Sequence, residues 1–190
     1  LRRLSWRMRS LNFRQASAVR TINDWVSNKT HGKIEEIIDA IDPAVMMILI
    51  NAIYFNCVWE FEFDPEETRE APFYNEEGNV YGQVEMMTLE SKLRTAFTEQ
   101  FSAVERPYKN RKFSMYLFLP DRGITVDELA GELDGQTWNN WLDEFTETDE
   151  FTVTMPKFKF EFNRSLADDL KAMGLEIAFT PRADFSGISP

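Results

Sequence analysis

Apolar residues recur at helical spacing at Ala18, Ile22, Trp25 and Val26, and the pattern halts at Thr30-His31-Gly32, where glycine commonly ends a helix. The spacing predicts an amphipathic helix with an aromatic anchor. Ile34, Ile37, Ile38 and Ile41 then repeat at i, i+3, i+4 and i+7, which predicts a short second helix stopped by Asp42-Pro43. Residues 44–55 are apolar except for Asn51, too continuous for a half-exposed strand, and predict a central strand buried on both faces. Burying Val45, Ile48, Leu49, Ile50 and Ile53 there is worth on the order of 10 kcal/mol. An amide in such a strand is costly unless its donors and acceptor are matched, so Asn51 calls for a buried partner, either a neighbouring backbone group or a latch between strands.

Farther along, Phe113, Met115, Leu117 and Leu119 alternate with Ser114, Tyr116 and Phe118 up to Pro120, a strand pattern. Thr125 and Glu128 form a capping box ahead of Leu129 and Leu133, and Trp138, Trp141, Leu142 and Phe145 share one helical face, so two short helices follow the strand. Phe151, Val153 and Met155 alternate, and the phase changes at Pro156 to Phe158, Phe160 and Phe162, which predicts two strands joined at a proline break. A last helix is expected with Ser165 and Asp168 as capping box, Leu166, Leu170 and Met173 as apolar stripe and Gly174 as stop, ahead of a loop over 183–190. The class is α+β with mostly antiparallel strands, and no repeat or composition shift divides residues 1–190 into separate domains.

A net charge of −11 opposes a nucleic-acid or anionic-membrane partner. The charge is uneven: Arg2, Arg3, Arg7, Arg9, Arg14 and Arg20 all precede the first acidic residue, Asp24. This basic opening has no clear helical stripe and no initiating Met, and reads as the start of a chain inside a longer product rather than a transit peptide. No apolar run reaches the roughly 18 to 20 residues that span a bilayer.

Candidate chemistry is sparse. The lone histidine, His31, stands in a helix-ending loop, and no nucleophile elbow accompanies it. One Cys and one His cannot supply a zinc site, so no metal is expected, and the scattered glycines form no phosphate cradle, so no cofactor is expected either. The carboxylate pairs Glu35-Glu36, Glu66-Glu67 and Asp168-Asp169 are adjacent in sequence and point to different faces, which suits solvated surface and not acid–base catalysis. Cys57 can form no internal disulfide and reads as a structural thiol. Asn28-Lys29-Thr30 and Asn163-Arg164-Ser165 match the N-glycosylation pattern, with Asn163 expected to serve the start of the last helix. The chain is read as a non-enzyme.

A series of collinear motifs carries a family resemblance. Ile22-Asn23-Asp24-Trp25-Val26, Thr30 and Gly32-Lys33-Ile34 are followed by Asn51-Ala52-Ile53-Tyr54-Phe55, Trp59, Phe63, Thr68 and Phe73. Then come Val84, Met86-Met87, Pro107-Tyr108, Ser114-Met115 and Leu119-Pro120, and finally Pro156-Lys157-Phe158, Leu166, Leu170, Gly174 and Ala183-Asp184-Phe185-Ser186-Gly187-Ile188. The whole order resembles the serpins, a family of protease inhibitors, over nearly the full chain.

The resemblance implies a serpin-like fold whose main sheet opens to admit a cleaved reactive loop as an extra strand, with a serine or cysteine protease as partner and secretion as the favoured setting. It places Asn51 in the shutter, where the sheet parts, and Trp59 in the breach, where the loop enters. Asn23, Trp25, Thr30, Gly32, Pro156 and Phe158 become structural motif positions. It further implies that 1–190 is one partial serpin domain, about half of a family member, lacking the opening helices, the reactive loop with its scissile bond, and the histidine that pairs with the shutter asparagine. Such a piece is expected to be inactive alone, and to self-associate or need complementing segments. The same motifs also serve non-inhibitory members that act as carriers, chaperones or binding modules. Asn56-Cys57 stands where the family has Lys-Gly, and Arg106 replaces an apolar residue before Pro107-Tyr108. Asn75-Glu76-Glu77-Gly78 is read as a turn.

Overall fold

A computed structural model describes residues 8–160 and 162–187. The basic opening as far as Arg7 and the end of the expected tail loop, 188–190, lie outside the described residues. The chain forms two compact units, Leu1–Phe55 with Glu161–Pro190, and Asn56–Phe160.

In the first unit, the helix predicted from the apolar spacing is α1, Ala16–Lys29, which buries Ala18, Ile22, Asn23 and Val26. It ends where expected: the Thr30 N–H donates to Val26 O, and His31 and Gly32 turn the chain with positive φ of 53° and 75°. The second helix expected over the isoleucines 34–41 does not form. Its backbone donors are taken by side chains of α1 and its cap. Asn23 Oδ1 accepts from Ile37 N at 3.1 Å and Ile38 N at 3.2 Å, Asn23 Nδ2 donates to Ile38 O at 2.7 Å, and Thr30 Oγ1 accepts from Ile34 N at 3.0 Å. Local side-chain bonding of this kind competes with the helical ladder and here prevails.

Residues 44–55, expected to form a buried central strand, carry no regular secondary structure, and Met46, Leu49 and Ile53 are 73%, 79% and 79% exposed. The apolar run is present in the sequence, but strand burial requires ladder partners, and 44–55 joins no ladder among the described residues. The last helix is a single turn, α4 (Ala167–Leu170), running into the wider turn Lys171–Leu175, which Gly174 breaks with φ of +97°. The expected Ser165/Asp168 capping box is not made. Leu166 holds the N-cap position, and the Asp168 carboxylate pairs instead with Lys171 Nζ at 2.8 Å. Asn163 lies upstream of that cap in an irregular segment, so it does not start the helix.

The second unit is built on one antiparallel sheet. Strand β1 (Arg69–Tyr74) turns through Asn75–Gly78, the turn read from the sequence, into the 18-residue β2 (Val80–Phe97). Strands β3 (Phe101–Pro107) and β4 (Ser114–Pro120) extend the sheet, and β5 (Thr146–Pro156) pairs with β2 from Met86↔Pro156 to Thr95↔Thr146. Alternation places Ala96, Phe101, Ala103, Tyr116 and Phe118 on one face, covered by the short helices α2 (Val126–Gly131) and α3 (Gly135–Asp143) through Leu129 and Trp141, and by Phe145. Phe101, fully buried, meets Phe118 and Trp141 edge-on, each at 5.0 Å. The capping box Thr125/Glu128 forms as predicted, and Asp134 caps α3 by accepting from Gln136 N and Thr137 N. The opposite face gathers Leu93, Val104 and Val153 with Phe61 and Leu117. Pro156 ends β5 as expected, but no second strand follows: Phe158 and Phe160 are 50% and 78% exposed, and Phe162 beyond them 79%.

Candidate functional site

Strand β3 ends at Pro107, and the turn after it returns to residues 58–61. The Glu60 N–H donates to Pro107 O at 3.0 Å and the Lys109 N–H to Val58 O at 2.9 Å, and Trp59 and Tyr108 form an isolated antiparallel bridge. This pairing stacks the two rings nearly parallel, 4.4 Å apart at 10°. Arg111, at positive φ, closes the turn by pairing with Glu60. Cys57, half-buried, receives a hydrogen bond from Asn110 Nδ2 at 3.2 Å, as suits a structural thiol. Burial, with Cys57 adding to it, pushes the Tyr108 phenol above its ordinary value.

Arg106 lies beneath this lid. It is fully buried, with its guanidinium carbon 5.2 Å from the Trp59 ring centre and 4.7 Å from that of Phe63. Its Nη2 donates to Phe61 O at 2.7 Å, while Nε and Nη1 have no partner among the described residues. Burial pushes the guanidinium below its ordinary value. Glu105, its neighbour in sequence, is engaged with Arg94 at 2.8 Å and with Ser114 Oγ, and Glu60 is engaged with Arg111. Trp59, singled out from the sequence, thus stands at the centre of the cluster. Its association with Tyr108 and Phe63 was not readable from local pattern, because the three come together only through the bridge and the β3 edge.

The other singled-out residues are dispersed. Asn23 and Thr30 are buried and fasten the chain after α1, Trp25 is half-buried on the same helix, and Gly32 supplies the left-handed turn. Pro156 pairs with Met86 at the β2 edge, and Phe158 stacks on Phe160 at 5.8 Å. Asn51 is the correction: it is exposed, so its amide is free to be hydrated and needs no buried partner. His31 meets the Tyr54 ring at 4.8 Å. Among the described residues no group of three or more His, Cys, Asp or Glu could hold a metal, and no helix is long and apolar enough to cross a membrane.

The family profile described as Serpin (serine protease inhibitor) matches residues 4–190. Antithrombin-III of Bos taurus is 40% identical over 164 residues, covering 85% of this chain and 35% of that protein. Intracellular coagulation inhibitor 2 of Tachypleus tridentatus is 35% identical over 171 residues, covering 88% of this chain and 41% of its own length. Among solved structures, ovalbumin from emu (Dromaius novaehollandiae) superposes with a TM-score of 0.84 at 30% identity, covering 94% of this chain and 48% of that one. The chain thus spans half or less of the length of these relatives. One of them is intracellular by name, so the likeness does not by itself favour secretion. A profile match over nearly every residue, with the sheet and helices shared at high superposition, places the chain in the serpin family.

Proposed function

We propose that this chain is the core of a protease-inhibiting serpin. A serine or cysteine protease cuts a reactive loop carried by the rest of the polypeptide. The loop then enters the main sheet as an extra strand beside residues 44–55, carrying the attached protease with it. In this reading the two compact units are parts of one serpin domain, Asn51 acts in the shutter and Trp59 in the breach, and the 190 residues alone are inactive. The observation that supports it most is the run 44–55, apolar enough for a sheet interior yet with Met46, Leu49 and Ile53 exposed and in no ladder among the described residues, leading in sequence to the Trp59 cluster. A segment of that composition is stable only with strands on either side.

The test is to express the coding sequence read on past Pro190 and incubate it with a panel of serine and cysteine proteases. An inhibitor gives a complex that survives a denaturing gel, and its loop hinge is a run of small residues able to join a sheet. A protein that is only cleaved or ignored, with Pro or large charged residues in the hinge, is a carrier or binding module instead.

A further inference from the structure

The aromatic contacts of Arg106 leave its hydrogen bonding incomplete. Rings of Trp59 and Phe63 lie against the cation and offset part of its charge, but neither supplies an acceptor atom, and Nε and Nη1 are closed off from water with no partner among the described residues. A buried guanidinium with one carbonyl bond is an ion pair half made. Its natural complement is a carboxylate, which accepts from the guanidinium fork in a planar, charge-assisted geometry. Glu105 and Glu60 hold Arg94 and Arg111, and Glu62, between the two residues that contact the cation, is exposed and makes no bond to it. Residues 57–63, whose Trp59 and Phe63 cover the guanidinium, carry no secondary structure beyond the single bridge at Trp59.

We propose that Arg106 is the receptor for a carboxylate, the side chain of an Asp or Glu in a segment packed against residues 59–63, which takes up the two donors left unpaired here. This site does not depend on whether the protein inhibits proteases.

The test uses the 190-residue chain at micromolar concentration and constant ionic strength, with melting followed by tryptophan fluorescence. The probes are N-acetylglutamate amide, its uncharged match N-acetylglutamine amide, and N-acetylalanine, whose carboxylate is a chain terminus. N-acetylglutamate amide at about ten times its dissociation constant raises the wild-type midpoint by about 3 °C, and the glutamine amide does not. Arg106→Met starts at a higher midpoint than wild type and does not respond, because it has no buried charge to satisfy. A larger response to N-acetylalanine supports the carboxylate site and moves its source to a chain terminus. Equal responses to the glutamate and glutamine amides, an undiminished response in Arg106→Met, or no response in wild type overturns the proposal. Should Arg106→Met fail to fold, the Arg106 Nε–H resonance of the wild-type chain decides: it moves downfield and exchanges more slowly with the glutamate amide, and a resonance that stays put overturns the site.

Discussion

Trp59 stacks on Tyr108 with its ring 4.4 Å away and at the same time covers Arg106, whose guanidinium carbon lies 5.2 Å from the indole. One side chain therefore closes the end of strand β3 and keeps a cation from water. Trp59→Ala removes the stack but also lets water reach Arg106, so two effects oppose each other. The expected net cost is about 2 kcal/mol, below the roughly 3–5 kcal/mol of truncating a fully buried tryptophan. Trp59→Phe retains a ring over the cation and costs less. Urea unfolding of the two variants gives both values, and a Trp59→Ala variant as stable as wild type would show that the lid contributes nothing.

Two asparagines that look alike in the sequence have opposite surroundings. Asn23 is buried and makes three bonds to the backbone of Ile37 and Ile38, whereas Asn51 is exposed. Asn23→Ala leaves part-buried backbone groups unmatched and is expected to cost about 1–3 kcal/mol, with amide exchange at Ile37 and Ile38 rising first. Asn51→Ala in the same chain is expected to fall within about 0.5 kcal/mol of wild type. Equal costs for the two, read by chemical denaturation, contradict the burial difference.

Acid should loosen the helices over the sheet through their caps. Bonds from Thr125 hold the Glu128 carboxyl below its ordinary value of 4.5, and bonds from Thr137 and then Gln136 hold Asp134 below 3.8. A carboxyl depressed in the folded state stabilises at neutral pH, and that contribution is lost as the pH falls through its folded value. Melting temperature is therefore flat above about pH 5 and declines below it. Asp134→Ala melts lower at pH 7 and shows a shallower acid decline. A variant whose acid decline matches wild type shows that the cap is not the source.

Much of the fold was legible where the determinants are local. Helix α1 with its Thr30-His31-Gly32 stop, strand β4, the Thr125/Glu128 box and the break at Pro156 all follow from spacing and cap chemistry within a few residues. The errors have non-local causes. The isoleucines at 34–41 do repeat at helical spacing, but Asn23 and Thr30 hold their amides in another geometry. The long strand β2 carries a period-two signal in Leu89, Leu93 and Thr95 against Glu90, Lys92 and Arg94, interrupted by the continuous Met86-Met87, and its 18 residues exceed an ordinary strand. At 44–55 the hydrophobicity was read correctly and the burial was not, because composition says what a strand needs and not whether its neighbours are present. The Trp59 cluster shows the same division. Trp59 could be singled out by family motif and Arg106 as a departure from it, but that one covers the other is a property of the folded bridge.

The proposed entry of a strand beside residues 44–55 requires that this segment, which joins no ladder among the described residues, be able to pair with a further strand. Hydrogen exchange on the dilute monomer tests this most directly. Amides from Ile48 to Ile53 should exchange at nearly unstructured rates while those of Leu93, Thr95, Val104 and Val153 stay protected, and protection at 48–53 should appear with rising concentration as chains associate through that segment. Protection of 48–53 equal to that of β2 in the dilute monomer, or a chain that remains monomeric at high concentration, would contradict it.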